Sequence, residues 1–271
     1  MKRSWYAAPY GLWMAMSTIL PLLFVAYFAF RGPDGAPTLE HFGKFASPTY
    51  LNILWHSIYL AFLCTAICLL IGYPAAHFLA SKDFQDNKAL FVLILLPMWM
   101  NFLLRTYAMM SLIEDSGVIN TFLKNMGLGP LYIIGTEGAV LLGMVYNFVP
   151  FMILPIHTSL KKMDARIIEA AEDLGANPAA VFAKIVFPLS VPGIVSGITM
   201  VFMPAVTTFA ISRLLGSGMF MLFGDVIEKW FMEYKDWGFG SMLSLVMMLL
   251  IIASMGLLNK ADPKKEGSGA W

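Results

Sequence analysis

Charge is what this sequence has least of. Only 13% of its 271 residues are Asp, Glu, Lys or Arg, about half the ~25% of a soluble domain, which excludes a water-exposed surface over most of the chain. Cysteine is scarcer still. Cys64 and Cys68 are the whole supply, and four apart in one apolar run they share a helix face and read as packing residues, not a redox or metal pair. The four histidines (His41, His56, His77 and His157) have no ligand spacing, so no metal is expected. No G-x-x-x-x-G-K-[ST] stretch exists to cradle nucleotide phosphates. There is no H-E-x-x-H and no carboxylate pair within an apolar run. Gly216-Ser217-Gly218 lacks the G-x-S-G order of an intramembrane serine protease, and no later run brings a histidine to activate the serine. An enzyme is not expected, nor a cofactor bound by this chain. The net charge of +1 is nearly uninformative about partners, and no nucleic acid is expected among them.

Apolar types make up 59% of the chain, gathered into six runs near 8–30, 52–80, 89–113, 138–160, 191–215 and 241–258. A helix needs about 20 mostly apolar residues to cross the hydrocarbon core. The expected class is therefore all-α integral membrane, one transmembrane domain over 1–271, with lipid around it. The first run follows Lys2 and Arg3 as in a signal peptide, but it is too long and no A-x-A-like site follows. It is read as a retained span. The 20 methionines are spread over most runs and read as flexible packing. With the N-terminus inside, the cytoplasmic connections hold Lys2, Arg3, Lys82, Lys88, Lys161, Lys162, Arg166, Lys184, Lys260, Lys264 and Lys265. The outer ones hold Arg31, Lys44, Arg105, Lys124, Arg213, Lys229 and Lys235, a split of 11 to 7. By the positive-inside rule both termini are expected in the cytoplasm.

Between the fourth and fifth runs lies a polar segment, 161–190, overlapping the stretch IIEAAEDLGANPAAVFAKIVFPLSVPG at 167–193. A helix is expected over 161–174, with good formers at Glu169, Ala170 and Ala171 and Gly175 ending it. Asn177 as N-cap and Pro178 in the first turn start a second helix. Its apolar stripe is Val181, Phe182, Ile185 and Val186, and Pro188 with Pro192 closes it. The segment reads as a helix–turn–helix on the cytoplasmic face, with small alanines that permit close approach by another protein.

Glu169-Ala170-Ala171, three residues, Gly175, nine residues, Ile185 and then Pro188 resembles the EAA loop of ABC importer permeases. Phe187-Pro188 replaces the family's usual Leu-Pro. The resemblance implies a type I ABC importer permease fold of six spans in a bacterial cytoplasmic (inner) membrane. It also implies that Glu169, Ala170, Ala171, Gly175, Ile185 and Pro188 belong to a coupling helix docking on an ATPase subunit. LPMWMNFLLRTYAMM from Leu96, GMVYNFVPFMILPIHTSLKKMD from Gly143, FMPAVTTFAISRLLGSG from Phe202 and DWGFGSM from Asp236 are similar to the spermidine/putrescine (polyamine) permeases, and to the PotB-like member of their pair. Implied partners are a PotC-like sibling permease, two ATPase subunits that use ATP and Mg, and an extracytoplasmic substrate-binding protein. The sequence departs at Arg213, where the resemblance leads one to expect an acidic residue.

Pathway candidates are Trp99, Asn101, Arg105, Tyr107, Phe209 and Arg213. An ionisable residue inside an apolar run is a functional candidate by default, while a snorkelling or paired Arg105 is the structural alternative. A cationic cargo is suited by aromatic faces from Trp99, Tyr107 and Phe209, and by carboxylates from Glu114, Asp115, Asp225, Glu228, Glu233 and Asp236. Pro97, Pro150, Pro155 and Pro204 can kink their spans. The connection 116–128 has Val118, Ile119, Phe122, Leu123 and Met126 at helical spacing, as in an interfacial amphipathic helix. Two alternatives stay open. An oxyanion importer on the same machinery would use Arg105 and Arg213 as binding residues. An ion-coupled secondary transporter would predict an internal repeat, and the sequence has none.

Overall fold

The computed structural model describes residues 4–32, 35–81 and 88–260. Those residues form helices joined by short connections and no β-strand. In chain order the helices are α1 (Ser4–Ala29), α2 (Glu40–Phe45), α3 (Pro48–Ala80), α4 (Lys88–Trp99), α5 (Phe102–Ile113), α6 (Val118–Asn125) and α7 (Glu137–Lys161). They continue as α8 (Ala165–Asp173), α9 (Pro178–Val181), α10 (Phe187–Thr207), α11 (Ala210–Leu215), α12 (Phe223–Met232) and α13 (Trp237–Lys260). Five helical stretches are long and apolar enough to cross a membrane, and Val92–Trp99 with Phe102–Asn125, bent by 103°, make a sixth where the pair acts as one broken span.

Helices α3, α7 and α10 pack on one another as the centre of the bundle. In α7, 56% of the apolar window is buried, against 6% in α1, so α7 is the axis of the chain and α1 a flank that packs on α13. Cys64 and Cys68 are fully buried, with the Cys68 thiol 3.9 Å from the Val145 carbonyl at the α3–α7 seam. Small residues let the central helices approach, since in lipid close packing replaces the hydrophobic drive between helices. At Gly193 of α10, a Cβ would stand 2.6 Å from Ser159 Cβ and 2.8 Å from the Pro155 carbonyl of α7. Gly193→Val is expected to push α7 and α10 apart and cost about 1–3 kcal/mol, read as a lower unfolding temperature of the detergent-solubilised chain.

Two runs depart from the expected continuous spans. The third breaks at Met100–Asn101: Pro97 sits in the last turn of α4, and the Asn101 side chain caps α5 by accepting from the backbone N–H groups of Leu103 and Leu104 at 2.9 and 3.3 Å. The fifth ends at Thr207 and not near 215. Thr208 is extended at φ −64° and ψ 142°, and α11 starts afresh. Two consecutive β-branched threonines, poor helix formers, stand at that break. Of the basic residues behind the expected orientation, Lys2, Arg3, Lys82, Lys264 and Lys265 lie outside the described residues.

Candidate functional site

The loop between α7 and α10 is built from its caps. The expected single helix over 161–174 is divided, because α7 ends at Lys161 and Asp164 caps a new helix by accepting from the Arg166 N–H at 3.0 Å. At its other end Gly175 takes φ +83°, a conformation that costs an L side chain about 1–2 kcal/mol. The Ala176 N–H then reaches the Ala171 carbonyl at 3.0 Å and the Gly175 N–H the Glu172 carbonyl at 2.8 Å, the paired bonds of a Schellman stop. Asn177 restarts the helix, its Oδ1 accepting from the Ala180 N–H at 2.7 Å, with Pro178 in the first turn.

Pro188 does not close this second helix, contrary to expectation. A π turn, Phe182–Val186, follows α9, and the Phe187 N–H bonds back five residues to the Phe182 carbonyl. Proline has no N–H to give the carbonyl four residues back and its ring crowds that carbonyl; the wider turn stands just ahead of it, and the helix runs on. Pro178–Thr207 is thus one stretch of 30 residues from the loop into the bundle.

No residue of α8 is buried. Its underside, with Ile168 and Ala171, leans on the core together with Met163 and Ala176, over a hollow of ≈ 390 Å³ whose wall includes His77, Ser81, Glu172 and Phe182. Glu169, Ala170, Gly175 and Pro188 are exposed and Ile185 is half-buried. The loop is a capped unit offering a small-residue face to its surroundings.

Arg105 occupies a different kind of place. It is 4% exposed, its Nε donating to Asn147 Oδ1 at 2.7 Å, Nη1 to the Pro97 carbonyl at 2.8 Å and Nη2 to the Asn147 carbonyl at 3.4 Å. Asn147 is fully buried and donates in turn to Thr106 Oγ1 at 3.3 Å and the Gly143 carbonyl at 2.8 Å. The guanidinium ties α4, α5 and α7 together across the bend. In this chain Arg105 is thus buried and paired, the arrangement of the structural alternative. Asn101, the other polar candidate beside it, is the α5 cap described above.

The remaining candidates lie on the surface of the chain. Trp99, Tyr107 and Phe209 are exposed, and only Phe209 joins other candidates. It shares a hollow of ≈ 470 Å³ between α10, α12 and α13 with Glu228, whose Oε1 accepts from Arg213 Nη1 at 2.7 Å. Beside them Asp225 Oδ2 accepts from Ser212 Oγ at 2.6 Å and the Leu222 N–H at 2.7 Å. Glu233 faces Lys229 at 3.7 Å, and Asp236 caps α13 through the Phe239 N–H. Glu114 and Asp115 border a separate hollow of ≈ 570 Å³ with Lys124 and Tyr132. Over 116–128 the helix is α6, with Val118, Phe122 and Met126 exposed. Its anchor is Asn120, bonded to the Glu114 carbonyl and to both backbone groups of Leu131.

Burial raises the Asp225 carboxyl from its ordinary 3.8 to about 6, against the lowering pull of the Ser212 and Leu222 hydrogen bonds. A raised acid binds its proton more tightly in the folded state, so stability falls as pH rises through the window from 3.8 to about 6. Asp225→Asn keeps an acceptor oxygen for both donors and is expected to remove that slope, checked by thermal unfolding of both forms across the window.

Residues 69–267 match the family described as the inner membrane component of binding-protein-dependent transport systems. The chain belongs to this family. It is 37% identical over 264 residues to the spermidine/putrescine transport system permease protein PotB of Haemophilus influenzae, covering 93% of this chain and 92% of that one. PotB of Escherichia coli K12 is 35% identical over 263 residues, 92% of this chain and 96% of that one. Among solved structures, a chain of the bacterial alginate ABC transporter in complex with alginate pentasaccharide-bound periplasmic protein superimposes with a TM-score of 0.77 at 17% identity, over 99% of this chain and 98% of that chain. The permease therefore has the type I ABC importer fold, and the loop α8–α9 is part of it. Sequence reasoning missed Asn147, whose signal was a lone amide four residues after Gly143 in an apolar run, and the pairing of Glu228 with Arg213.

Proposed function

We propose that this permease forms, with a PotC-like sibling, the pathway by which an ATP-driven importer takes up spermidine and putrescine. The cargo reading is supported by the identity to the PotB permeases, which extends over nine-tenths of the chain. The reading has the ATP and Mg chemistry occur on two separate ATPase subunits, with an extracytoplasmic binding protein delivering the cargo and both termini in the cytoplasm.

The observation that carries the coupling role is the continuity of Pro178–Thr207. A capped, exposed loop fused to one end of a 30-residue helix cannot be displaced without moving that helix. Closure of the ATPase pair pushes on the face around Glu169–Gly175, the helix tilts against α7, and the shared pathway opens outward. Hydrolysis resets it and releases cargo inward.

The test is uptake of labelled spermidine by cells lacking their own polyamine importer. They carry this chain with its sibling, ATPase and binding protein, and controls omit each in turn. Uptake that needs this chain and is competed by putrescine is the expected result. A complex that assembles and hydrolyses ATP yet ignores spermidine removes the cargo and brings oxyanions forward. Uptake that persists without the ATPase removes the coupling role.

A further inference from the structure

The hollow between α10, α12 and α13 meets the needs of an elongated organic cation with groups of this chain alone. Its volume is ≈ 470 Å³, and Thr207, Phe209, Glu228, Ser244, Met247 and Met248 are on its wall, which Ile227, Ile251 and Ile252 continue as a mostly apolar surface. Among the described residues Glu228 is its one charged group. Phe209 offers a ring face and the two thioethers offer soft, polarisable surface. Helix α10 ends at this hollow, at Thr207, so the negative end of its dipole favours positive charge here. Gly224 is also in the wall, and the carbonyl oxygens of Thr207 and Thr208 crowd it so closely that a Cβ would stand 2.8 Å from each. Among the described residues, no basic residue faces the interior of the hollow. One reaches the carboxylate from outside it: Arg213, with 63% of its side chain exposed, donates to Glu228, with 27% exposed, at 2.7 Å.

We propose that this hollow is a transient subsite for an alkyl diammonium or triammonium cargo, and that Arg213 is its tethered competitor. One ammonium of the cargo takes Glu228 from Arg213, and the methylene chain lies along Met247, Met248 and Phe209. When the cargo moves on, Arg213 returns to the carboxylate. A guanidinium on a flexible stem keeps the site from holding its cation tightly, which a transport pathway requires. The proposal rests on the polyamine cargo put forward above and assigns it a place on this chain.

An ordinary structural ion pair and a competed subsite differ in sign. Breaking a structural pair from either side does the same damage. In a competed subsite the two partners oppose each other. The experiment uses the complete permease–ATPase complex in nanodiscs without binding protein, and measures labelled spermidine binding by equilibrium dialysis at low salt. Arg213→Gln is expected to tighten binding by about two- to fivefold, the worth of an exposed ion pair. Glu228→Gln is expected to weaken it by about tenfold or more, the worth of a hydrogen bond to a charged group. Glu228→Asp, which keeps the charge, falls between wild type and Glu228→Gln. It also serves as the carboxylate variant if Glu228→Gln fails to assemble. Shifts of the same sign in the Arg213 and Glu228 variants, or no shift in either, overturn the subsite. Saturable wild-type uptake of spermidine in the complete system, with no such split in binding, defeats the subsite alone. Absence of that uptake defeats the cargo reading along with it.

Discussion

Glu169→Lys is expected to abolish spermidine uptake while the chain still inserts, because the substitution reverses the charge on a helix with no buried residue. Helix α8 is held by its Asp164 cap and its Gly175 stop, neither of which involves the Glu169 side chain, and surface changes away from such features usually stay within about 0.5 kcal/mol. At the ATPase contact proposed above, the change reverses the charge this face offers, and like charges brought together across an interface cost several kcal/mol, enough to reduce coupled transport at least a hundredfold. The checks are uptake, membrane fractionation, and recovery of the ATPase with the purified permease. Glu169→Gln, which deletes the charge without reversing it, should retain part of the activity. Normal uptake in the lysine variant would remove Glu169 from the coupling face.

Arg105→Ala is expected to destabilise the fold. It leaves the fully buried Asn147 Oδ1 without its donor and the Pro97 carbonyl with only the Met100 N–H at 3.3 Å, at about 1–3 kcal/mol for the unpaired buried acceptor. The damage should concentrate at the bend between α4 and α5, visible as faster amide exchange on both sides of Met100–Asn101. Arg105→Lys rescues only partly, since a single ammonium replaces a planar fork aimed at two helices. Combining Arg105→Ala with Asn147→Ala should cost less than the two single changes added together, by about 1 kcal/mol or more, because both break the same contacts. Full additivity would mean that the two side chains act independently.

Much of this was legible from local chemistry. The apolar runs marked where the spans lie, Gly175 and the Asn177-Pro178 pair punctuated the loop, and the EAA spacing pointed to the family. The helix break at Met100–Asn101 carried a related signal, an asparagine cap four residues after Pro97 where the loop has one just before Pro178, but inside an oily run it read as continuous. The early end of α10 was hidden for a similar reason: AVTTFAISRLL stays apolar enough to extend a span on hydropathy, and only the backbone turns at Thr208. Arg105 could be flagged as costly from sequence, whereas its partner Asn147 lies 42 residues away and is found only when α5 packs on α7. The π turn had no marker of its own, since Pro188 is as good a terminator as it is a cause of a widened turn.

That widened turn sets an angle. Each residue in an α-helix advances the chain about 100° around its axis, and one turn closed five residues back holds one residue more than its neighbours. The α8–α9 loop is therefore rotated relative to α10 by about that amount from where an uninterrupted helix would carry it. Removing a single residue between Phe182 and Val186 would leave every cap and every buried contact of α10 in place, yet swing the loop around to address a different quarter of the compass. On the coupling role proposed above, the segment sets which way the permease faces its ATPase, and its length matters more than its composition.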